Sequence, residues 1–195
     1  PHDAFTVTGF IAKTETPGMT DGQGAGYLNA TWLDQKWRIY GEYANLGDNF
    51  NPENSHVLPA LILKAFESTD GTLPVWGDGK QSRSFLYVDD FSRGLLEVAA
   101  RHAKADAINI GEETEIAIGD AAQIIAEMVG KRVNRKLEVV FEPTDLTGQP
   151  RRNCDTTKLK HKLGFETLVS LRNGLEASID WFLDNRELAM TAHHQ

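Results

Sequence analysis

The sequence is short of cysteine. Cys154 is the single one in 195 residues, so no internal disulfide can form, and a free thiol suits a reducing compartment. It is also short of positive charge, with 20 Lys and Arg against 28 Asp and Glu and a formal charge of −8. Nucleic-acid grooves and anionic membrane surfaces both need clustered cations, so this balance argues against either partner, and any phosphate bound is local and small. No apolar run reaches the ~18 residues of a membrane-spanning helix. The opening PHDAFTVTGF has no basic head before an apolar core, so no export signal is expected and the cytoplasm is the expected compartment. Internal repeats and heptads are missing too. What remains, 41% hydrophobic and 25% charged, suffices for one compact unit or one and a half small ones.

Composition shifts near residue 37, where a Gly/Thr-rich start gives way to regular patterning. Before it, Phe5–Ile11 predicts a strand, and Pro17–Gly26, with glycines at 18, 22, 24 and 26, predicts a flexible loop. After it, Arg38–Asn45 predicts a strand and Asp48–Ser55 a loop. The next segment predicts a helix with Leu58, Leu61, Ile62, Ala65 and Phe66 on its buried face, closing at Asp70-Gly71. Val75-Trp76 and Ser84–Val88 read as strands around the turn Gly77-Asp78-Gly79. Asp89-Asp90 then suits a helix N-terminus whose apolar stripe is Phe91, Leu95, Val98 and Ala99. Ala107–Ile110 reads as a buried parallel strand stopping at Gly111. A helix capped by Asp120 follows, burying Ile124, Ile125, Met128 and Val129, with Gly130 as its left-handed terminator. Leu137–Phe141 is the last expected strand. Helices over Asp155–Leu163, stopped by Gly164, and from Leu171 through Phe182 finish the chain. Alternating strands and helices predict an α/β fold.

Four stretches carry a resemblance: Asp48-Asn-Phe-Asn-Pro-Glu-Asn-Ser-His-Val-Leu-Pro-Ala-Leu61, Val75-Trp-Gly-Asp-Gly-Lys-Gln-Ser-Arg-Ser-Phe-Leu-Tyr-Val-Asp-Asp90, Ile108-Asn-Ile-Gly111 and Gly148-Gln-Pro-Arg-Arg-Asn-Cys-Asp155. In this order and spacing they resemble the C-terminal part of the extended short-chain dehydrogenases that act on nucleotide sugars, the NAD-dependent epimerase/dehydratase group. The runs at 56–61 and 148–151 are most similar to GDP-fucose synthase-like enzymes. The resemblance spans residues 38–184. It implies a partial Rossmann-like parallel sheet joined to that family's small α/β substrate-binding domain. The chain then divides into an atypical segment 1–36, a substrate-binding part 37–186 and a tail 187–195. The implied ligand is a nucleotide sugar, possible GDP-sugars included, and the implied chemistry is that of an isomerase and oxidoreductase using NAD or NADP. The alternative is a non-catalytic nucleotide-sugar-binding module or a fragment without the cofactor-binding half.

A nucleotide sugar carries a diphosphate, and forked Arg donors match phosphate oxygens. Arg83, Arg151 and Arg152 are the candidates, with Lys64 a less specific fourth. A lone surface arginine is ordinarily a solvated side chain; the resemblance assigns Arg83 and one of the adjacent pair to substrate. Trp76, Phe85 and Tyr87 offer aromatic faces for a base, although Phe85 reads as core. His56 opens a helix, and an imidazole is suited to proton donation near neutrality. The residues alone favour a capping or surface histidine there; the resemblance implies a general acid for epimerisation next to a ketone. Asn45 matches the family's Asn that borders nicotinamide and sugar, although here Asn45-Leu46-Gly47 runs straight into Asp48. Asp89, Asp90 and Asp155 read as helix caps without chemistry, and no metal site is expected.

The family's glycine-rich strand-to-helix turn, which holds the dinucleotide pyrophosphate, has no counterpart in this sequence: Thr6-Val-Thr-Gly-Phe-Ile-Ala12 lacks two of its glycines. The family also pairs a Tyr with a Lys four residues on, whereas Tyr27 is followed by Thr31, and Lys36 is not equivalent. Binding of NAD or NADP by this chain alone is therefore not expected. In the family, Arg38–Asn45 and Ala107–Ile110 would be inner strands of a larger sheet. Their edges then need cover from residues 1–36, from a second copy of the chain in a homo-oligomer, or from a missing cofactor-binding half.

Overall fold

A computed structural model of the chain describes residues 6–8, 24–33, 36–45, 50, 55–102, 106–144 and 149–191. In chain order the elements are β1 (Thr6–Thr8), β2 (Gly24–Leu33), β3 (Lys36–Asn45), α1 (Val57–Glu67), β4 (Thr72–Trp76), β5 (Ser82–Ser84), α2 (Val88–Arg101), β6 (Glu115–Ala117), α3 (Ile118–Arg132), β7 (Glu138–Glu142), β8 (Arg151–Arg152), α4 (Thr157–Leu163), α5 (Leu171–Asp184) and α6 (Arg186–Thr191). The fold is α/β with parallel strand pairing, as the sequence predicts. Two compact units divide it: Pro1–Leu46 with Leu86–Glu112 and Cys154–Val169, and Gly47–Phe85 with Glu113–Asn153 and Ser170–Gln195.

The first unit holds an antiparallel sheet ordered β1-β2-β3. Strand β3 realises the expected strand at Arg38–Asn45, but its partner is β2, in register from Gly24↔Asn45 to Leu33↔Lys36, rather than a parallel family strand. Strands separated by only Asp34 and Gln35 must pair antiparallel, because a parallel crossover needs about a dozen residues or more. Residues from the 1–36 segment thus supply an edge cover for β3. The expected strand at Phe5–Ile11 is realised as β1, and Gly24–Gly26 of the expected loop lie in β2, whose later residues Tyr27, Thr31 and Trp32 are strand formers. Residues 9–23 and the loop residues 46–49 and 51–54 lie outside the described residues.

In the same unit, α2 starts at Val88 with Asp89 and Asp90 in its first turn. Gly94 lets the helix come close to its neighbours: a Cβ there would stand 2.7 Å from Ile110 Cγ2 and 3.3 Å from the Phe165 ring. Leu159, Leu163 and Phe165 form the unit's apolar cluster, with Val98, Ile108 and Ile110 against it. Ala107–Ile110 is not a strand. Its alternate residues Ile108 and Ile110 are held by this side-chain packing, without a ladder partner among the described residues. Helix α4 ends as expected at Gly164, left-handed at φ 64°, with its N–H donating to the Lys160 carbonyl at 2.8 Å. The cap position of α4 falls on Thr156 and not on Asp155, whose Oδ1 accepts from the Thr157 N–H at 2.9 Å just before the helix.

The cap position of α2 falls on Tyr87, and Asp90 in the first turn has another role. It is 2% exposed and accepts from Arg93 (2.7 Å) and from the backbone N–H groups of Leu168 (2.9 Å) and Val169 (2.8 Å). Burial on its own would raise this carboxyl's pKa, but the bonds from Arg93, Val169 and Leu168 outweigh it and hold the group below its ordinary value. Arg93 also donates to the Glu166 carbonyl and lies 4.1 Å from the Phe165 ring centroid. One carboxylate thereby ties the segment after α4 to the start of α2.

Among the described residues the second unit carries the larger core. Strands β4 and β7 pair in parallel from Thr72↔Glu138 to Trp76↔Glu142, and α1, α3 and α5 contribute the buried side chains. The faces follow the sequence period: Leu61, Ile62, Leu63 and Ala65 on α1 and Ile125, Met128 and Val129 on α3 are buried, with Leu58, Phe66 and Ile124 packed at the core's edge. Phe182 of α5 lies 4.6 Å from Phe50 and 5.2 Å from Phe66, ring centroid to centroid.

A second sheet, ordered β6-β5-β8, pairs β5 antiparallel to β6 and parallel to β8. The turn at Gly77–Gly79 therefore joins two sheets and does not close a hairpin, and residues 85–87 leave β5 for α2 and do not extend a strand to Val88. Gly77 (φ 82°) and Gly79 (φ 69°) supply the left-handed conformations of this bend. Gly79 is also packed: a Cβ would meet Phe141 Cε1 at 2.3 Å.

Helix α3 begins at Ile118, so Asp120 sits in its first turn and Ala117 occupies the cap position. Gly130 lies inside α3, and the left-handed residue after the helix is Asn134, at φ 51°. The glycine serves a close approach instead, since a Cβ would stand 2.6 Å from the Arg135 carbonyl oxygen. Beyond Leu137–Phe141, realised as β7, the chain adds the two-residue strand β8 and the terminal helix α6.

Candidate substrate site

His56 stands at the entrance of α1 in extended conformation (φ −65°, ψ 161°), its carbonyl accepting from the Ala60 N–H at 3.0 Å. The side chain makes no capping bond and is exposed, so the capping role that the residues alone suggest is not taken up. Farther along α1, the Lys64 ammonium lies 4.5 Å from the Trp76 ring centroid at the end of β4. Burial pushes the Lys64 pKa down, and the charge of Glu142, the strand partner of Trp76, pulls it partly back. Trp76 remains 60% exposed, a free aromatic face beside a partly desolvated cation.

The three arginines are sorted by the second sheet. Register pairs Arg83 with Ile116 and with Arg152, and pairs Ser82 with Ala117 and with Arg151, while Ser84 faces Glu115. Side chains alternate along a strand and paired residues share a face. Arg83 and Arg152 therefore project from one face, and Ser82, Glu115 and Arg151 from the other. On the second face the Glu115 carboxylate accepts from Arg151 Nε (2.8 and 3.0 Å), from Arg151 NH2, from Ser82 Oγ (2.7 Å) and from Asn153 Nδ2 (2.8 Å). The Arg151 and Ser82 bonds hold the Glu115 carboxyl below its ordinary range, and Glu115 in turn raises Arg151. Among the described residues, Arg83 on the first face bonds the neighbouring Ser82 carbonyl at 2.7 Å and no carboxylate, and Arg152 has no ion pair. Two forked donors on strands ~4.8 Å apart suit two phosphate groups.

Asn45 ends β3 opposite Gly24, and its side chain lies outside what is described. Phe85 packs at the core's edge, as read from the sequence. Tyr87 precedes α2, its phenol pKa raised by burial and then by Asp89. The Cys154 thiol is likewise raised, by burial and then by Asp155. Among the described residues no His, Cys, Asp or Glu cluster could hold a metal ion, and no helix is long and apolar enough to cross a membrane. Glu115 and Glu142 are the residues sequence reasoning missed. Glu115 meets Ser82 and Arg151 across 33 and 36 residues, a separation that leaves no local pattern.

Residues 37–111 match the NAD dependent epimerase/dehydratase family. The chain is 40% identical over 192 residues to GDP-L-fucose synthase 1 of Arabidopsis thaliana, covering 95% of this chain and 58% of that protein. It is 36% identical over 161 residues to the GDP-L-fucose synthase of Escherichia coli, covering 76% and 47%. Among solved structures it is similar to the GDP-L-fucose synthetase of Naegleria fowleri, with TM-score 0.64, 28% identity and coverage of 72% and 43%; the same enzyme bound to NADP superposes with TM-score 0.60. The chain belongs to the NAD-dependent epimerase/dehydratase family, in the nucleotide-sugar group of the extended short-chain dehydrogenases. It is similar to the GDP-L-fucose synthases of that group, and it spans about half the length of the curated relatives it matches. The match covering 95% of the chain takes in most of residues 1–36.

A nicotinamide dinucleotide needs backbone N–H groups at a glycine-rich helix entrance.

Proposed function

We propose that this chain holds the sugar nucleotide of a nucleotide-sugar epimerase/reductase that works with NAD or NADP, GDP-sugars being the favoured substrates. The observation that carries this reading is the pair Arg83 and Arg152 on one sheet face, without carboxylate partners among the described residues, beside a face where Arg151 is already neutralised. Two adjacent guanidinium groups repel unless an anion lies between them, and a diphosphate supplies that anion. Of the adjacent pair, Arg152 meets phosphate and Arg151 supports it from the other face. The exposed ring of Trp76 stacks on the base, with Lys64 beside it. His56, uncommitted at the α1 entrance, donates a proton to the sugar. Asn45 borders sugar and nicotinamide. The assembly is cytoplasmic and oligomeric, the dinucleotide lying largely outside the described residues.

Titration calorimetry with GDP, a GDP-sugar, a UDP-sugar and NADPH tests this. GDP-sugar binding that weakens about 10–100-fold in Arg83→Ala and in Arg152→Ala is expected, each removing a charge-assisted bond of about 1.5–3 kcal/mol. Binding of sugar nucleotide without NADPH would leave a non-catalytic binding module. Failure of every nucleotide to bind would overturn the proposal.

A further inference from the structure

The short strand β8 carries a residue of the proposed anion site, yet its backbone does little to hold it. It has two residues, joined to β5 through the Ser82↔Arg151 and Arg83↔Arg152 pairs, with the Ser82 N–H donating to the Pro150 carbonyl at 2.9 Å. Strands this short at a sheet edge fray readily. Arg152 is also pushed away by Arg83, because the two like charges share a face. A force that holds Arg152 in place has to come from elsewhere.

Glu115 supplies it. Its side chain is 18% exposed, and its carboxylate grips β8 on both sides of Arg152, through the Arg151 guanidinium and through the Asn153 amide, while Ser82 Oγ ties the same carboxylate to β5. The two-pronged Arg–carboxylate contact fixes orientation as well as distance. It also consumes the charge of Arg151, so that this cation does not draw the phosphate to the wrong face.

We propose that Glu115 is a positioning residue for substrate: acting through Arg151 and Asn153, it holds Arg152 beside Arg83 so that both forks receive one diphosphate. The inference rests on the sugar-nucleotide reading above, and it runs against simple charge counting. Removing a carboxylate near an anion site should tighten binding if charge alone mattered; with Glu115 as a positioner, removal loosens it.

The test is GDP affinity by calorimetry on the full chain, with thermal unfolding recorded without ligand for each variant. Glu115→Gln is expected to weaken GDP binding about 10-fold, with Glu115→Asp intermediate. Asn153→Ala, which removes one grip, is expected to weaken it about 3-fold. Once Glu115 is Gln, adding Arg151→Met should change affinity less than about 2-fold, since residues acting as a unit are not additive. A folded Glu115→Gln variant that binds GDP as well as or better than the parent overturns the proposal, and so does full additivity with Arg151→Met. Should Glu115→Gln fail to fold, Asn153→Ala and Arg151→Met decide: GDP affinity unchanged in both overturns it. Arg152→Ala separates this from the underlying reading. GDP binding lost there but kept in Glu115→Gln sinks the positioning role alone, and GDP binding indifferent to Arg152→Ala sinks the anion site itself.

Discussion

The two units solve the same problem with different materials. Among the described residues the first has an apolar cluster of Leu159, Leu163 and Phe165, and a buried carboxylate, Asp90, collects an arginine and two backbone N–H groups. The second buries a large set of aliphatic and aromatic side chains from α1, α3, α5, β4 and β7, and its best-bonded carboxylate, Glu115, sits on a sheet face. In the first unit a satisfied buried ion specifies the geometry around α2. In the second, the bonded carboxylate lies on the sheet face opposite the proposed anion site.

The sharpest way to break this contrast is Asp90→Ala. It strands Arg93 and the N–H groups of Leu168 and Val169, and a loss of about 3–5 kcal/mol is expected from urea unfolding. A loss below about 1 kcal/mol would mean that apolar packing alone holds the first unit.

The next largest effect is Gly79→Ala in the second unit, where the left-handed backbone and the Phe141 ring at 2.3 Å both object. About 2–3 kcal/mol is expected. Gly164→Ala in the first unit shares the left-handed strain, at φ 64°, but a Cβ there meets nothing within 4 Å. It should lower stability by only about 1 kcal/mol; equal losses in thermal unfolding would remove the packing argument for Gly79.

Acid sharpens the comparison with a smaller effect. The Asp90 pKa is depressed in the folded state, so the unfolded chain binds the extra proton. Its stabilisation is complete above the ordinary carboxyl value of about 4 and fades as pH falls through the lower folded value. The slope of stability against pH below about 4 should flatten in Asp90→Asn, as urea midpoints across that range would show.

Much of this was legible locally. The buried faces of α1 and α3 follow from the spacing of Leu58 to Phe66 and Ile124 to Val129, because a helix repeats every few residues. The stop at Gly164 is a one-turn signal. Gly130 gives a misleading signal for a physical reason: a glycine that lets Arg135 approach and one that ends a helix look alike in sequence. Asp90 looked like a simple cap, since its decisive partners are 78 and 79 residues away. Ala107–Ile110 looked like a strand because an apolar run specifies burial without specifying a ladder partner.

By itself, the sequence determined the helices α1 to α5, the family motifs and the list of cations available to hold a diphosphate. It also determined that Arg151 and Arg152, if extended, must face opposite ways. Which of them joins Arg83 was decided only by the tertiary structure, because the register of β5 against β6 and β8 brings Glu115 to the Arg151 face from a distant part of the chain.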